Sequence, residues 1–190
     1  GWLMCKMAHI PVIRGSVDAR KSLITARSVV EAGGAVVIFP EGTTTHDPDT
    51  WPMQARTGAA RLALATGAPV IPVAHWGDEQ ILSYEYVDGP DDKKKEKRKV
   101  SLWPRKTVHV KIGQPMNIAA LVDDPSPRAK RTRTELNIVT EAMMDEITAL
   151  LAHIRGEQAP KGRWNPKTKR RELPGETTGV TGTLGEPDEN

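Results

Sequence analysis

The segment Phe39-Pro40-Glu41-Gly42-Thr43-Thr44-Thr45 carries the densest chemistry in this 190-residue chain. A continuous apolar, β-branched run, Ala35-Val36-Val37-Ile38-Phe39, leads straight into a proline, a carboxylate, a glycine and three hydroxyls. Proline ends a strand ladder, and glycine lets backbone approach a ligand closely. Hydroxyls and freed N–H groups in such a turn suit an anion such as phosphate. The bland alternative is a tight strand-to-loop turn with Glu41 merely solvated. On spacing alone that alternative is the commoner case, because short motifs recur by chance.

Arg14-Gly15 closes another apolar run, His9-Ile10-Pro11-Val12-Ile13. Arginine suits bidentate recognition of phosphate or carboxylate. Standing alone, it reads equally as a surface arginine before a helix. His75 follows a third apolar run, with Trp76, Asp78 and Glu79 beside it. A histidine next to carboxylates can serve as a general base, although a hydrogen-bonded structural histidine is more common. His46-Asp47 has no second histidine at ligand spacing, and His9, His109 and His153 stand apart. No metal site is expected. The chain holds no dinucleotide-binding glycine pattern, no phosphate-binding P-loop and no nucleophile elbow. Cys5, in an apolar context, reads as a buried inert thiol.

These residues need elements to position them. Ala19, Leu23, Ala26 and Val30 form a helical stripe stopped by Gly33-Gly34. Ser16 and Asp18 are candidate N-caps. Thr57–Thr66 is rich in Ala and Leu and ends at Gly67, so a second helix is expected. Val70-Ile71-Pro72-Val73-Ala74 reads as a strand with an edge-type proline. Strand alternating with helix implies right-handed crossovers and a parallel sheet, whose carboxyl ends share one edge. That edge would gather Arg14, Gly15, Glu41–Thr45, His75 and Trp76. Thr107–Ile112 alternates as a half-exposed strand. Leu136, Val139, Met143, Ile147, Leu150 and Ile154 mark the apolar face of a long helix. The expected fold is α/β, a mostly parallel sheet with flanking helices. It spans residues 1–155, followed by a disordered charged tail over 156–190.

Composition removes several classes. One cysteine excludes an intramolecular disulfide framework and a cysteine-built zinc site, and fits a reducing compartment. The longest uncharged stretch, Leu62–Gly77, is broken by Gly67, Pro69 and Pro72 and does not read as a membrane span. A net charge of +3 is too mild to demand nucleic acid. The basic residues are nonetheless clustered, in Lys93–Lys99, in Arg128–Arg133 and early in the tail.

Three of these runs resemble the ordered blocks of the glycerolipid acyltransferases, closest in type to 1-acylglycerol-3-phosphate acyltransferase. They are Gly1-Trp2-Leu3 with His9–Gly15, Phe39-Pro40-Glu41-Gly42-Thr43, and Val70-Ile71-Pro72-Val73-Ala74. The resemblance covers about residues 1–120 and implies the α/β fold of that family. It implies acyl transfer from acyl-CoA or acyl carrier protein, a co-substrate and not a cofactor, to a lysophosphatidic acid-type acceptor. The product would be phosphatidic acid. By match, Arg14 and Gly15 carry the phosphate, Glu41, Gly42 and Thr43 organise the acceptor site, and Pro72 sits in the last block. The family's general base lies in a His-x4-Asp block. None of the five histidines here has an aspartate five positions on. No catalytic residue is therefore assigned, and the chain alone is expected to be inactive. Its start at Gly1, within an apolar segment, suggests N-terminal truncation, with that block upstream. A peripheral place on the cytoplasmic face of the plasma membrane follows, the basic clusters meeting anionic lipid. Nucleic acid is not expected. The alternatives are a non-catalytic module binding an anionic surface or nucleic acid, and a scaffold that keeps the fold without turnover.

Overall fold

A computed structural model describes Ile10, residues 19–88 and residues 94–173. Arg14, Gly15, the caps Ser16 and Asp18, all of the first apolar run but Ile10, and residues 174–190 lie outside the described residues. The described chain is built from three α-helices and three antiparallel strand pairs. Helix α1 (Ala19–Glu31) is stopped by Gly33, which is left-handed at φ 82° and donates to the Val30 carbonyl. It buries Ser22 and Ala26 and packs against α2 (Gly58–Thr66). Helix α2 ends at a left-handed Gly67. The long helix α3 (Arg133–Arg155) begins in a reciprocal capping box. The Thr132 hydroxyl accepts from the Glu135 amide, and the Glu135 carboxylate accepts from the Thr132 amide.

Two apolar clusters hang on α3. Its first half sets Leu136, Val139 and Met143 against Ala60, Ala63 and Leu64 of α2 and against Ile118. Its last turns bring Leu150, Leu151 and Ile154 to Trp51, Ala74 and Trp76. Strand β1 (Val73–Trp76) pairs antiparallel with β4 (His109–Ile112), with Val73 opposite Ile112 and His75 opposite Val110. Ala74 and Trp76 turn toward α3. The opposite face of this pair leaves Val73, Val110 and Ile112 exposed. Strands β2 (Leu82–Asp88) and β3 (Lys94–Val100) form a second pair that takes in most of the Lys93–Lys99 run. Strands β5 (Arg163–Asn165) and β6 (Arg170–Glu172) form the third.

The fold departs from the sequence expectation in three ways. It is mixed α/β, but every ladder among the described residues is antiparallel; the parallel contact is an isolated bridge between Met53 and Trp164. β1 meets β4, which returns along it after the β2–β3 excursion. Residues 35–39 run extended outside any ladder, and Val37 and Phe39 stay largely exposed. Their β-branched composition suits a strand between two neighbours, and no described strand is hydrogen-bonded to them in a ladder. Finally, residues 156–173, expected to be a disordered tail, fold back as the β5–β6 hairpin. Charge, not apolar burial, holds it in place, so its polar composition was a poor guide.

Candidate functional site

The Glu41 turn is built by local hydrogen bonds. The Gly42 amide donates to the Phe39 carbonyl at 3.0 Å, and the Arg56 amide to the Pro40 carbonyl at 2.9 Å. Gly42 sits at φ 71°, a left-handed conformation that favours glycine, with the Arg56 side chain 3.7 Å from where a Cβ would stand. Glu41 is half-buried, and its Oε2 accepts from the Met53 amide at 3.0 Å. Burial pushes its pKa up to about 7, and Asp47 adds to the rise. The Met53 hydrogen bond and the charges of Arg163 and His75 pull the other way. A carboxyl poised near neutrality can donate a hydrogen bond to a phosphate oxygen or accept one from a hydroxyl. Thr43 and Thr44 are exposed on the same turn.

Asp47 fixes the far side of this loop. Its side chain is fully buried. Oδ1 accepts from the Asp49 and Trp51 amides at 2.8 and 3.4 Å. Arg171, from β6, grips it with contacts of 2.6 Å to Oδ2 and 2.8 Å to Oδ1, and also meets Asp49 at 2.9 Å. Thr45 completes the loop, donating to the Trp51 carbonyl at 2.8 Å. Arg155, at the end of α3, lies between the Trp51 and Trp76 rings at 4.3 and 4.4 Å and donates to the Asp49 carbonyl at 2.8 Å.

The hairpin that supplies Arg171 is itself anchored. Arg163 is buried and bonds Glu141 and Thr148 of α3 at 2.9 Å each, with Asp145 as a third partner. Glu172, also buried, accepts from Thr168, Asn165 and Gln54, and these bonds, Thr168 foremost, lower its pKa to about 2. The Gln54 amide adds a bond to the Trp164 carbonyl. The hairpin thus clasps residues 47–54, the stretch whose Met53 amide holds Glu41.

His75 and Asp78 do come together, Nδ1 to Oδ1 at 2.8 Å, on an exposed surface. The Phe39 ring stands edge-on to the His75 ring at 6.2 Å, which ties the end of residues 35–39 to β1. Pro72 is buried, its carbonyl accepting from the Gly113 amide, so it packs the end of β1 and offers no side-chain chemistry. The expected gathering of Arg14 and Glu41 on one edge involves a residue, Arg14, that lies outside the described residues. Sequence reasoning missed Arg155, Arg163, Arg171 and Glu172. It considered Asp47 only as a metal ligand.

A model of the acyltransferase family matches residues 1–76. The match contains the Arg14, Glu41 and Pro72 runs in order. Residues 1–76 are thus the stretch in which this chain is similar to that family. The chain is also 34% identical over 86 residues to a chloroplastic 1-acyl-sn-glycerol-3-phosphate acyltransferase of Brassica napus. That alignment takes in 43% of this chain and 24% of the relative, so the chain spans about a quarter of the curated protein it matches. No solved structure matches. The matched stretch holds the Glu41 turn and Asp47, while Arg155, Arg163 and Arg171 fall beyond it.

Proposed function

We propose that this stretch is an acyltransferase segment that handles the acceptor in phosphatidic acid synthesis. In the reaction, the free hydroxyl of 1-acylglycerol-3-phosphate attacks the thioester carbonyl of acyl-CoA or acyl carrier protein. The ester forms, the C–S bond breaks, and the thiol leaves with the proton. Arg14 and Gly15 take the phosphate. Glu41, Gly42 and Thr43 orient the glycerol, and Pro72 sets the strand end beside them. The protein works peripherally on the cytoplasmic face of the plasma membrane, where its acceptor lies. The observation that supports this reading is Glu41 itself, a half-buried carboxyl with a pKa near 7 on a left-handed glycine turn. The loop beyond it is pinned by a buried ion pair.

The base is a separate matter. With no His-x4-Asp pair, this chain positions the acceptor but has no matched group to take its proton, which forgoes roughly 10²–10⁴-fold in rate. The test is radiolabelled acyl transfer by the 190-residue chain, alone and with a His-x4-Asp segment from a related acyltransferase fused ahead of Gly1. The expected result is no product alone and phosphatidic acid from the fusion, abolished by Glu41→Ala. A fusion that binds neither substrate, or is indifferent to Glu41, would overturn the reading.

A further inference from the structure

Residues 100–106 form an exposed apolar and basic stretch that lies beyond the family match. Leu102 is 73% exposed, Trp103 81% and Val100 64%. Monomeric proteins seldom spend a tryptophan and two aliphatic side chains this way on one short stretch without a partner. Arg105 and Lys106 follow directly. Lys94, Lys95, Lys97, Arg98 and Lys99 lie in β3, against one acid, Glu96.

The stretch is held at both ends. The Ser101 amide donates to the Ile81 carbonyl at 2.8 Å, closing the base of the β2–β3 hairpin. At the other end the Thr107 carbonyl lies so close to Gly77 that a Cβ there would collide with its oxygen. A stretch fixed at its two ends presents Leu102 and Trp103 with little ordering left to do on docking.

We propose that Val100–Lys106 is a docking element for an anionic lipid bilayer. Leu102 and Trp103 enter the headgroup boundary, and Arg105 and Lys106 lie against acidic headgroups. An apolar stretch carrying an exposed tryptophan and followed by arginine and lysine matches the chemistry of that interface. A nucleic acid fits less well, since a single tryptophan offers no run of stacking platforms. The element also leads toward the site. It continues into β4, where Val110 pairs with His75, and the His75 ring meets Phe39, two residues from Glu41. This inference deepens the proposed function and rests on its placement of the acceptor at a membrane.

Flotation of the 190-residue chain tests it. The vesicles are phosphatidylcholine alone and phosphatidylcholine with about 30% phosphatidylglycerol. The chain should float with the anionic vesicles and not with the neutral ones. L102S/W103S should cut the bound fraction more than about tenfold with an unchanged melting temperature, and R105E/K106E should do the same. Equal flotation of L102S/W103S and the parent would overturn the proposal. So would equal binding to both vesicles, no vesicle binding, or capture by single-stranded RNA in preference to vesicles. Binding of a short-chain 1-acylglycerol-3-phosphate in vesicle-free solution is measured alongside. L102S/W103S should leave it intact and Glu41→Gln should weaken it. Failure of the parent in that arm condemns the acceptor site, while flotation judges the 100–106 stretch separately.

Discussion

Glu41 keeps a proton to about pH 7 in the folded chain, whereas the unfolded chain releases it near 4.5. Between those values the folded state binds more protons, so this group's contribution to stability falls as pH rises from 4.5 to 7. Glu41→Gln should flatten that slope, as read from melting temperature against pH; a slope identical to the parent's would mean that another group titrates. Asp47 depends on a partner, because its side chain is fully buried against Arg171. Arg171→Ala leaves that carboxylate without its ion partner and should cost about 3–5 kcal/mol in urea unfolding. A loss below about 1 kcal/mol would make the pair a surface contact in effect. At this scale the sequence was half legible. Pro-Glu-Gly after an apolar run announces a tight turn, and one is there. Nothing local to His46-Asp47 announces an arginine 124 positions away.

Helices were the most legible elements, because a period of 3.6 residues survives whatever packs against it. Of the stripe expected on α3, Leu136, Val139 and Met143 are buried, and Ile147, Leu150 and Ile154 are half-buried. Strand pairing depends on neighbours, and there the reading failed. The run 35–39 has strand composition without a ladder, and β4 was assigned no partner. The β5–β6 hairpin was invisible for a different reason. It is placed by Arg163, Arg171 and Glu172, and polar residues carry no periodic signature. Arg163→Ala should therefore release the hairpin without unfolding α3. Amide exchange should quicken at least about tenfold over 163–172 and stay slow over 136–151. Uniform loss across both would show the hairpin to be part of the main cooperative unit. Thr132→Ala removes the capping box and should cost about 1 kcal/mol, with the fold retained; an unchanged urea midpoint would show that the box adds nothing.

For the whole molecule, the stretch similar to the acyltransferase family supplies the Glu41 turn, and the remainder of the chain supplies its support. Helix α3 covers one face of the β1–β4 pair and presents Arg155 to Trp51 and Trp76. The hairpin closes over residues 47–54. The family resemblance was legible because ordered runs of Pro, Gly and apolar residues persist in sequence. The support was not, because it joins residues more than a hundred positions apart. The central claim is that Arg14 and the Glu41 turn together grip a phosphorylated glycerol. The most direct measurement is calorimetric binding of short-chain 1-acylglycerol-3-phosphate against the same 1-acylglycerol without phosphate, for the parent chain and Arg14→Ala. The parent should favour the phosphorylated ligand by at least about tenfold, and Arg14→Ala should bind the two alike. Equal binding of both ligands by the parent, or a preference that survives Arg14→Ala, would contradict it.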